Sequence, residues 1–168
     1  RHEHLARYHF ASKFVRDKKV VDSPCGEGAG SRLFAESGAK VIEGFDISEE
    51  ALLEAQKDNH PPNLRFSRQS CLKLPLHDSF ADVYICLESI EHIREDALFL
   101  KEVVRVLDSA GIFICSTPNR DLTNPGTRLV DQPCNPFHVR EYNQEEFLGL
   151  LGRFFRQIKL FGQNPCRE

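Results

Sequence analysis

One stretch decides the fold: Val20-Val21-Asp22-Ser23-Pro24-Cys25-Gly26-Glu27-Gly28-Ala29-Gly30-Ser31. It begins in an apolar run, passes one acid, and then alternates glycine with other residues before a helical pattern starts. This order predicts a strand, a tight glycine turn and the N-terminus of a helix. Glycine tolerates positive φ and lets a ligand approach the backbone, and a helix N-terminus offers unpaired N–H groups. The stretch therefore predicts a site for a nucleotide-like or carboxylate-bearing ligand at the carboxyl end of the strand.

The glycine spacing narrows the choice of ligand. A dinucleotide-binding turn has the pattern G-x-G-x-x-G, whereas this turn has G-x-G-x-G, and Ser31 stands where the dinucleotide pattern needs its last glycine. The chain also lacks the phosphate-binding pattern G-x-x-x-x-G-K-[ST]. Asp22, just before the glycines, favours a ligand that carries an ammonium group.

The stretch resembles motif I of class I S-adenosylmethionine-dependent methyltransferases, whose usual form is acid-x-G-x-G-x-G. Pro24 stands where the first glycine of that motif usually lies. The resemblance implies that Asp22, Pro24, Gly26, Gly28 and Gly30 bind S-adenosyl-L-methionine. A glycine-rich turn that binds no ligand is the alternative.

Asp46 follows the glycines by about the interval at which an acid binds ribose hydroxyls in nucleotide folds. A carboxylate suits this role because it can accept hydrogen bonds from both hydroxyls. The alternative is an acid at the N-terminus of the next helix, which begins near Ser48, and both roles can hold together. Ile47 then lies where an apolar side chain could cover the adenine face.

Two further segments extend the resemblance. Ser70-Cys71-Leu72 resembles the loop that holds the adenine edge in these enzymes, although the family usually has an acid at position 70. The buried strand over 80–87 runs into Glu88-Ser89-Ile90-Glu91-His92, an E-x-I-E-H ending typical of small-molecule methyltransferases. The resemblance implies that the Leu87 carbonyl and the Glu88 carboxylate receive the methionine ammonium group.

We expect His92 and a long irregular segment, 119–142, to form the side of the active site that binds the substrate. Its end, Asn135 to Tyr142, resembles the N-P-[FY]-H-x-R-E-[YF] segment of a subgroup often linked to surface polysaccharides. We expect His138, Arg140 and Tyr142 to contact substrate, and His92 or His138 to act as a base if the acceptor is a hydroxyl. The alternative for His92 is a capping or packing role. The sequence shows no coherent set of metal ligands, and we expect no metal.

Strands that alternate with helices predict a three-layer α/β, Rossmann-like fold with a mostly parallel sheet. We expect a single methyltransferase domain over 1–168, with a helix or lid at 1–17 and a sixth strand at 154–161. The final antiparallel strand of the family has no counterpart in the sequence that follows. Because the chain starts at Arg1 and contains no methionine, we expect it to be a fragment or a trimmed chain.

Composition limits the class of partner. The net charge of -3 predicts no general attraction to nucleic acid, and no apolar run is long enough to span a membrane. The six cysteines form no C-x-x-C pair, which favours reduced thiols and a cytoplasmic location. The partner we expect is a small-molecule or glycan-linked substrate, and an unpaired sheet edge would favour a homodimer.

These observations predict an S-adenosylmethionine-dependent methyltransferase that transfers a methyl group to a small molecule or a glycan-linked acceptor. Two alternatives remain. A non-catalytic module would keep the cofactor site without turnover, in keeping with the substitutions at Pro24 and Ser70. A nicotinamide (NAD)-dependent oxidoreductase would need the glycine spacing G-x-G-x-x-G, which this turn lacks. It would also need a pair of residues for hydride transfer, such as a tyrosine and a lysine, which the sequence does not show.

Overall fold

The computed structural model describes residues 2–57 and 60–163. Helices alternate with strands along most of the chain, as the sequence predicts. The elements are α1 His2–Ser12, β1 Lys19–Asp22, α2 Ala29–Glu36, β2 Val41–Asp46, α3 Glu49–Gln56, β3 Leu64–Arg68, β4 Ala81–Leu87, a 3₁₀ turn Ile90–His92, α4 Asp96–Val106, β5 Leu107–Ser116, α5 Arg120–Thr123 and α6 Gln144–Leu151.

The five strands form one parallel sheet in the order β3-β2-β1-β4-β5. The chain winds outward from β1 to β3 and then returns to β4 on the other side of β1. Asp22 pairs with Gly44 on one side and with Ile85 on the other, so the carboxyl ends of the three central strands meet. In open α/β sheets a ligand binds outside the carboxyl ends at the point where the strand order reverses. That point lies between β1 and β4.

Strand residues alternate between two cores because successive side chains of a strand point to opposite faces. Val20 and Ile42 pack with α1, α2 and α3 on one face, whereas Val21 and Tyr84 pack with α4 and α6 on the other. The sheet therefore lies between two layers of helices. The predicted three-layer Rossmann-like fold is confirmed.

The predicted sixth strand at 154–161 is wrong. These residues are irregular, and Phe155 instead stacks on Phe113 of β5, with ring centroids 5.3 Å apart and an interplanar angle of 21°. A strand needs a neighbour to satisfy its backbone hydrogen bonds, and among residues 2–57 and 60–163 no strand pairs with this segment. The family's antiparallel strand is likewise not part of the sheet in the described residues, and the homodimer stays a prediction.

The N-terminal helix is shorter than expected, because it ends at Ser12 and does not extend to residue 17.

Helix α4 passes directly into β5, and residues 108–111 loop out between the pairs Ala81↔Leu107 and Val83↔Ile112. Residues 108–111 therefore form a bulge within β5.

The long segment 119–142 is held down at both ends. Asn119 and Tyr142 form a parallel bridge. The buried Arg120 guanidinium pairs through both terminal nitrogens with Glu146 of α6, at 2.5 and 2.9 Å. No helix in the described part of the chain is long and apolar enough to cross a membrane.

Replacing Phe155 tests whether ring packing holds the C-terminal segment. We expect Phe155→Ala to lower the free energy of unfolding by about 2 kcal/mol, less than a fully buried phenylalanine loses, because the ring is half-buried. Phe161→Ala, at a ring that is 65% exposed, should cost less than about 1 kcal/mol. Urea unfolding measures both. Equal losses in the two variants would contradict the packing of Phe155 on the sheet.

Candidate active site

Asp22, at the end of β1, lies at the base of the glycine turn. Its side chain is buried, and Ser31 Oγ of α2 donates a hydrogen bond of 2.5 Å to Asp22 Oδ2. Burial raises the pKa of Asp22 to about 7; the Ser31 hydrogen bond lowers it, and the charge of Asp46 raises it further. Ser31, which breaks the dinucleotide pattern, thus has a structural role here. Pro24 is half-buried in the turn that follows.

The glycines of the turn allow close approach. Gly28 has φ 76° at the N-terminus of α2, and a Cβ there would lie 2.5 Å from Cζ of Phe66. A Cβ on Gly30 would lie 2.9 Å from Cε1 of Tyr8, so α1 packs directly over the turn. Gly26 has φ 53° with open space around it. The predicted turn geometry is present, and one side of it is open.

Asp46 connects the turn to β2 and α3. Gly26 N–H donates to Asp46 Oδ2 at 2.8 Å, and Ser48 N–H donates to Oδ1 at 2.9 Å. A carboxylate oxygen has two lone-pair sites, so each oxygen keeps one site for another donor. The helix cap itself is Ser48, whose Oγ accepts from Ala51 N–H. Ile47, next to Asp46, is 68% exposed.

The segment at 70–72 forms a turn beside the core that contains Val21 and Tyr84. Ser70 Oγ accepts from Leu72 N–H at 3.3 Å, and the Cys71 and Leu72 side chains pack against that core. Burial raises the pKa of the Cys71 thiol to about 11, and the charge of Asp46 adds to it. Adenine contacts through this turn stay a prediction.

Glu88 follows β4 with a backbone that is unusual for a residue with a side chain. Its φ is 52°, a left-handed conformation that costs energy and is concentrated at functional sites. Ser116 holds it: Glu88 N–H donates to the Ser116 carbonyl at 3.0 Å, and Ser116 Oγ donates to Glu88 Oε1 at 2.8 Å. Arg7 of α1 lies 3.4 Å from Oε2. The Leu87 carbonyl accepts from Ser89 Oγ at 3.0 Å.

Three side chains that could share a proton or a metal ion meet just after Glu88. Potential ligand atoms of Glu91, His92 and His138 all lie within 4.8 Å of one another. The two imidazole rings are nearly perpendicular, with centroids 4.8 Å apart. Val139 N–H donates to the Glu91 carbonyl at 2.8 Å, which fixes the end of the long segment against the 3₁₀ turn.

The two histidines differ in what their ring nitrogens do. Nδ1 of the exposed His92 bonds the Phe137 carbonyl at 2.8 Å, which fixes this nitrogen as the donor. His138 Nδ1 lies 2.5 Å from Glu141 Oε1, and its Nε2 lies 2.9 Å from the Asn135 amide nitrogen. His138 is therefore held from both sides, whereas Nε2 of the exposed His92 is left as an acceptor.

Two buried carboxyls flank the histidines. Burial raises the pKa of Glu91 to about 7, although hydrogen bonds from its own backbone N–H and from Thr117 lower it. Burial also raises the pKa of Glu141, but hydrogen bonds from Thr123, His138 and Asn124 outweigh it and hold that pKa below its usual value. Glu141 is thus a fixed anion, and Glu91 titrates near neutral pH.

The other residues expected to contact substrate have structural partners. Arg140 Nη1 and Tyr142 Oη both lie 2.7 Å from Oδ2 of Asp96 in α4, and Tyr142 is buried. Substrate contact by Arg140 and Tyr142 stays a prediction. Both residues anchor the segment to α4.

A family model of the methyltransferase domain matches residues 21–115. The chain belongs to this family. A relative from Mycolicibacterium smegmatis named "Probable S-adenosylmethionine-dependent methyltransferase" is 37% identical over 134 residues, which are 80% of this chain and 50% of the relative. A ubiquinone biosynthesis O-methyltransferase from Psychrobacter arcticus is 33% identical over 109 residues, 62% of this chain and 42% of the relative. The chain spans about half the length of the curated relatives it matches.

Solved structures agree on the fold. An S-adenosylmethionine-dependent methyltransferase from Mesorhizobium loti superimposes with a TM-score of 0.72 at 22% identity, covering 90% of this chain and 79% of that one. The predicted family and its cofactor class, S-adenosyl-L-methionine, are confirmed.

Sequence reasoning missed Glu141 and Thr117 as partners of the histidine cluster. Glu141 follows His138 by three positions, but in an irregular segment that spacing carries no signal of contact. Thr117 lies 26 positions from Glu91 and meets it only because β4 and β5 are neighbours.

The buried Asp22 predicts a pH-dependent effect of Asp22→Asn. The folded pKa near 7 exceeds the usual value, so wild-type stability falls as pH rises from about 4 to 7, with about 1.4 kcal/mol lost per pH unit. Asparagine can still accept from Ser31 and does not ionise. We expect Asp22→Asn to stabilise the protein by about 2–3 kcal/mol more at pH 8 than at pH 5, measured by urea unfolding. An equal change in the free energy of unfolding at pH 5 and pH 8 would contradict the raised pKa of Asp22.

Proposed function

We propose that this chain transfers the methyl group of S-adenosyl-L-methionine to a hydroxyl group of a small-molecule or glycan-linked acceptor. The observation that carries the proposal is His92, an exposed residue four positions beyond Glu88, whose Nδ1 is bound to the Phe137 carbonyl so that Nε2 is left as an acceptor. A general base is useful for a hydroxyl acceptor. The name of the Psychrobacter relative, an O-methyltransferase, supports the same class of acceptor.

The described residues fit the cofactor. Asp46 keeps one lone-pair site on each oxygen, which suits the two ribose hydroxyls. Ile47 is exposed beside it, where it would cover the adenine. Glu88, in its left-handed backbone, would receive the ammonium group together with Asp22 and the Leu87 carbonyl, and Arg7 would have to share or release Glu88. The cofactor brings an electrophilic methyl group, so the protein mainly positions the two reactants.

His92 is the base in this proposal. Its Nδ1–H is donated to Phe137, so Nε2 carries the lone pair that takes the hydroxyl proton. The oxygen–carbon bond forms as the sulfur–carbon bond of the sulfonium breaks, and S-adenosylhomocysteine leaves. His138 has both nitrogens engaged and packs edge-on against His92, which makes it a positioning residue.

The location we propose is the cytoplasm. Five cysteines in the described residues are free thiols, which suits a reducing compartment.

Replacing His92 tests the base. With tritiated S-adenosylmethionine and a panel of sugars, oligosaccharides and phenols, we expect His92→Gln to lower kcat by about 10²–10⁴-fold on any acceptor that the wild type methylates. His77→Gln, at an exposed histidine near the other end of β4, is the matched control and should leave the rate unchanged. Calorimetry should give both variants the wild-type affinity for S-adenosylmethionine. Wild-type kcat in His92→Gln would overturn the role of the base.

A further inference from the structure

Glu91, His92 and His138 form a cluster whose chemistry goes beyond a single proton acceptor. We propose that these three side chains bind a divalent transition-metal ion of the Zn²⁺ type. Two imidazoles and a carboxylate form a ligand set that occurs in protein zinc sites, with a fourth position left for water or substrate. The proposal concerns metal binding and does not depend on methyl transfer.

The hydrogen bonds around the cluster prepare both imidazoles as ligands. A metal-binding histidine usually donates its other ring N–H to a carboxylate or a backbone carbonyl. His138 Nδ1 meets the Glu141 carboxylate at 2.5 Å, and His92 Nδ1 meets the Phe137 carbonyl at 2.8 Å. Because Nδ1 of each ring has such a partner, Nε2 is the nitrogen left in each ring to bind a metal ion.

Charge also favours a cation at this point. Glu91 is 1% exposed and accepts a hydrogen bond of 3.0 Å from Thr117 Oγ1, and within residues 2–57 and 60–163 it forms no ion pair with a lysine or an arginine. The Glu88 carboxylate, three residues earlier, adds negative charge and raises the pKa of Glu91 further. A divalent cation would remove the cost of ionising Glu91 in this buried position.

To bind a metal ion, the side chains of the cluster must move slightly closer together. Ligand atoms around a tetrahedral Zn²⁺ lie roughly 3.4 Å apart, whereas those of the cluster lie within 4.8 Å. His92 is exposed and can rotate toward the other two. The Asn135 amide, which donates to His138 Nε2 at 2.9 Å, must withdraw, and it can do so into solvent because Asn135 is exposed.

The ligand types select the metal. Imidazole nitrogens favour Zn²⁺, Co²⁺ and Ni²⁺ over Mg²⁺ and Ca²⁺. A metal ion and a proton compete for the Nε2 lone pair of His92, so the base of the proposed reaction is available only in the metal-free site. Methyl transfer is therefore measured after treatment with EDTA, and its failure would leave metal binding untouched.

The test is titration of the EDTA-treated protein with Co²⁺, followed by visible absorption and by competition with Zn²⁺. We expect one Co²⁺ per chain with d–d absorption bands, displaced by Zn²⁺ and unaffected by excess Mg²⁺. His92→Ala and Glu91→Gln should each weaken Co²⁺ binding at least tenfold, and circular dichroism checks their fold. His92 is exposed, so its variant should fold.

Three variants separate this cluster from other histidines. His77→Ala and His9→Ala should bind Co²⁺ as the wild type does. Asn135→Ala removes the competing donor and should bind Co²⁺ at least as tightly. Absence of d–d bands in the wild type, wild-type affinity in His92→Ala, or loss of the bands in His9→Ala or His77→Ala would overturn the proposal.

Discussion

The hydrogen bond from Gly26 N–H to the Asp46 carboxylate joins two halves of the cofactor site that are distant in sequence. Asp46 also accepts from Ser48 N–H, so one side chain fixes the glycine turn after β1 and the entry to α3. Asp22 and Ser31 fix the other side of the turn. These contacts put the polar groups of β1, β2 and α2 at the carboxyl edge of the sheet before any ligand arrives.

The substrate side depends on a different constraint, the attachment of the segment 119–142. Glu141 is central to it, because its carboxylate accepts from Thr123, from the Asn124 amide at 2.7 Å and from His138. Bonds from the backbone of 139–140 to the Glu91 carbonyl bring this network to the end of β4. The segment is largely irregular, but these hydrogen bonds hold it in place, and it can therefore keep the two imidazole rings in contact.

The sequence alone predicts the five strands of the sheet, the glycine turn and the position of Asp46 beside that turn. Each of these depends on a local pattern: apolar runs, alternating glycines and an acid at a known interval. The sequence failed at 154–161, where Phe154 and Phe155 lie in an apolar pattern that suits a strand, but strand formation depends on a neighbour that no local pattern reveals. It could not foresee that Glu91 and His92 meet His138, about 46 positions later, because that contact depends on the path of an irregular segment. Nor does the sequence show that the Tyr142 hydroxyl donates a hydrogen bond to Asp96.

The most direct measurement is calorimetric titration of the protein with S-adenosylmethionine and S-adenosylhomocysteine, beside NAD, in the wild type and in Asp46→Ala. We expect the wild type to bind the first two and not NAD, and we expect the folded Asp46→Ala variant to lose that binding. Tight binding of NAD alone, or wild-type affinity for S-adenosylmethionine in Asp46→Ala, would contradict a cofactor site built on the glycine turn and Asp46.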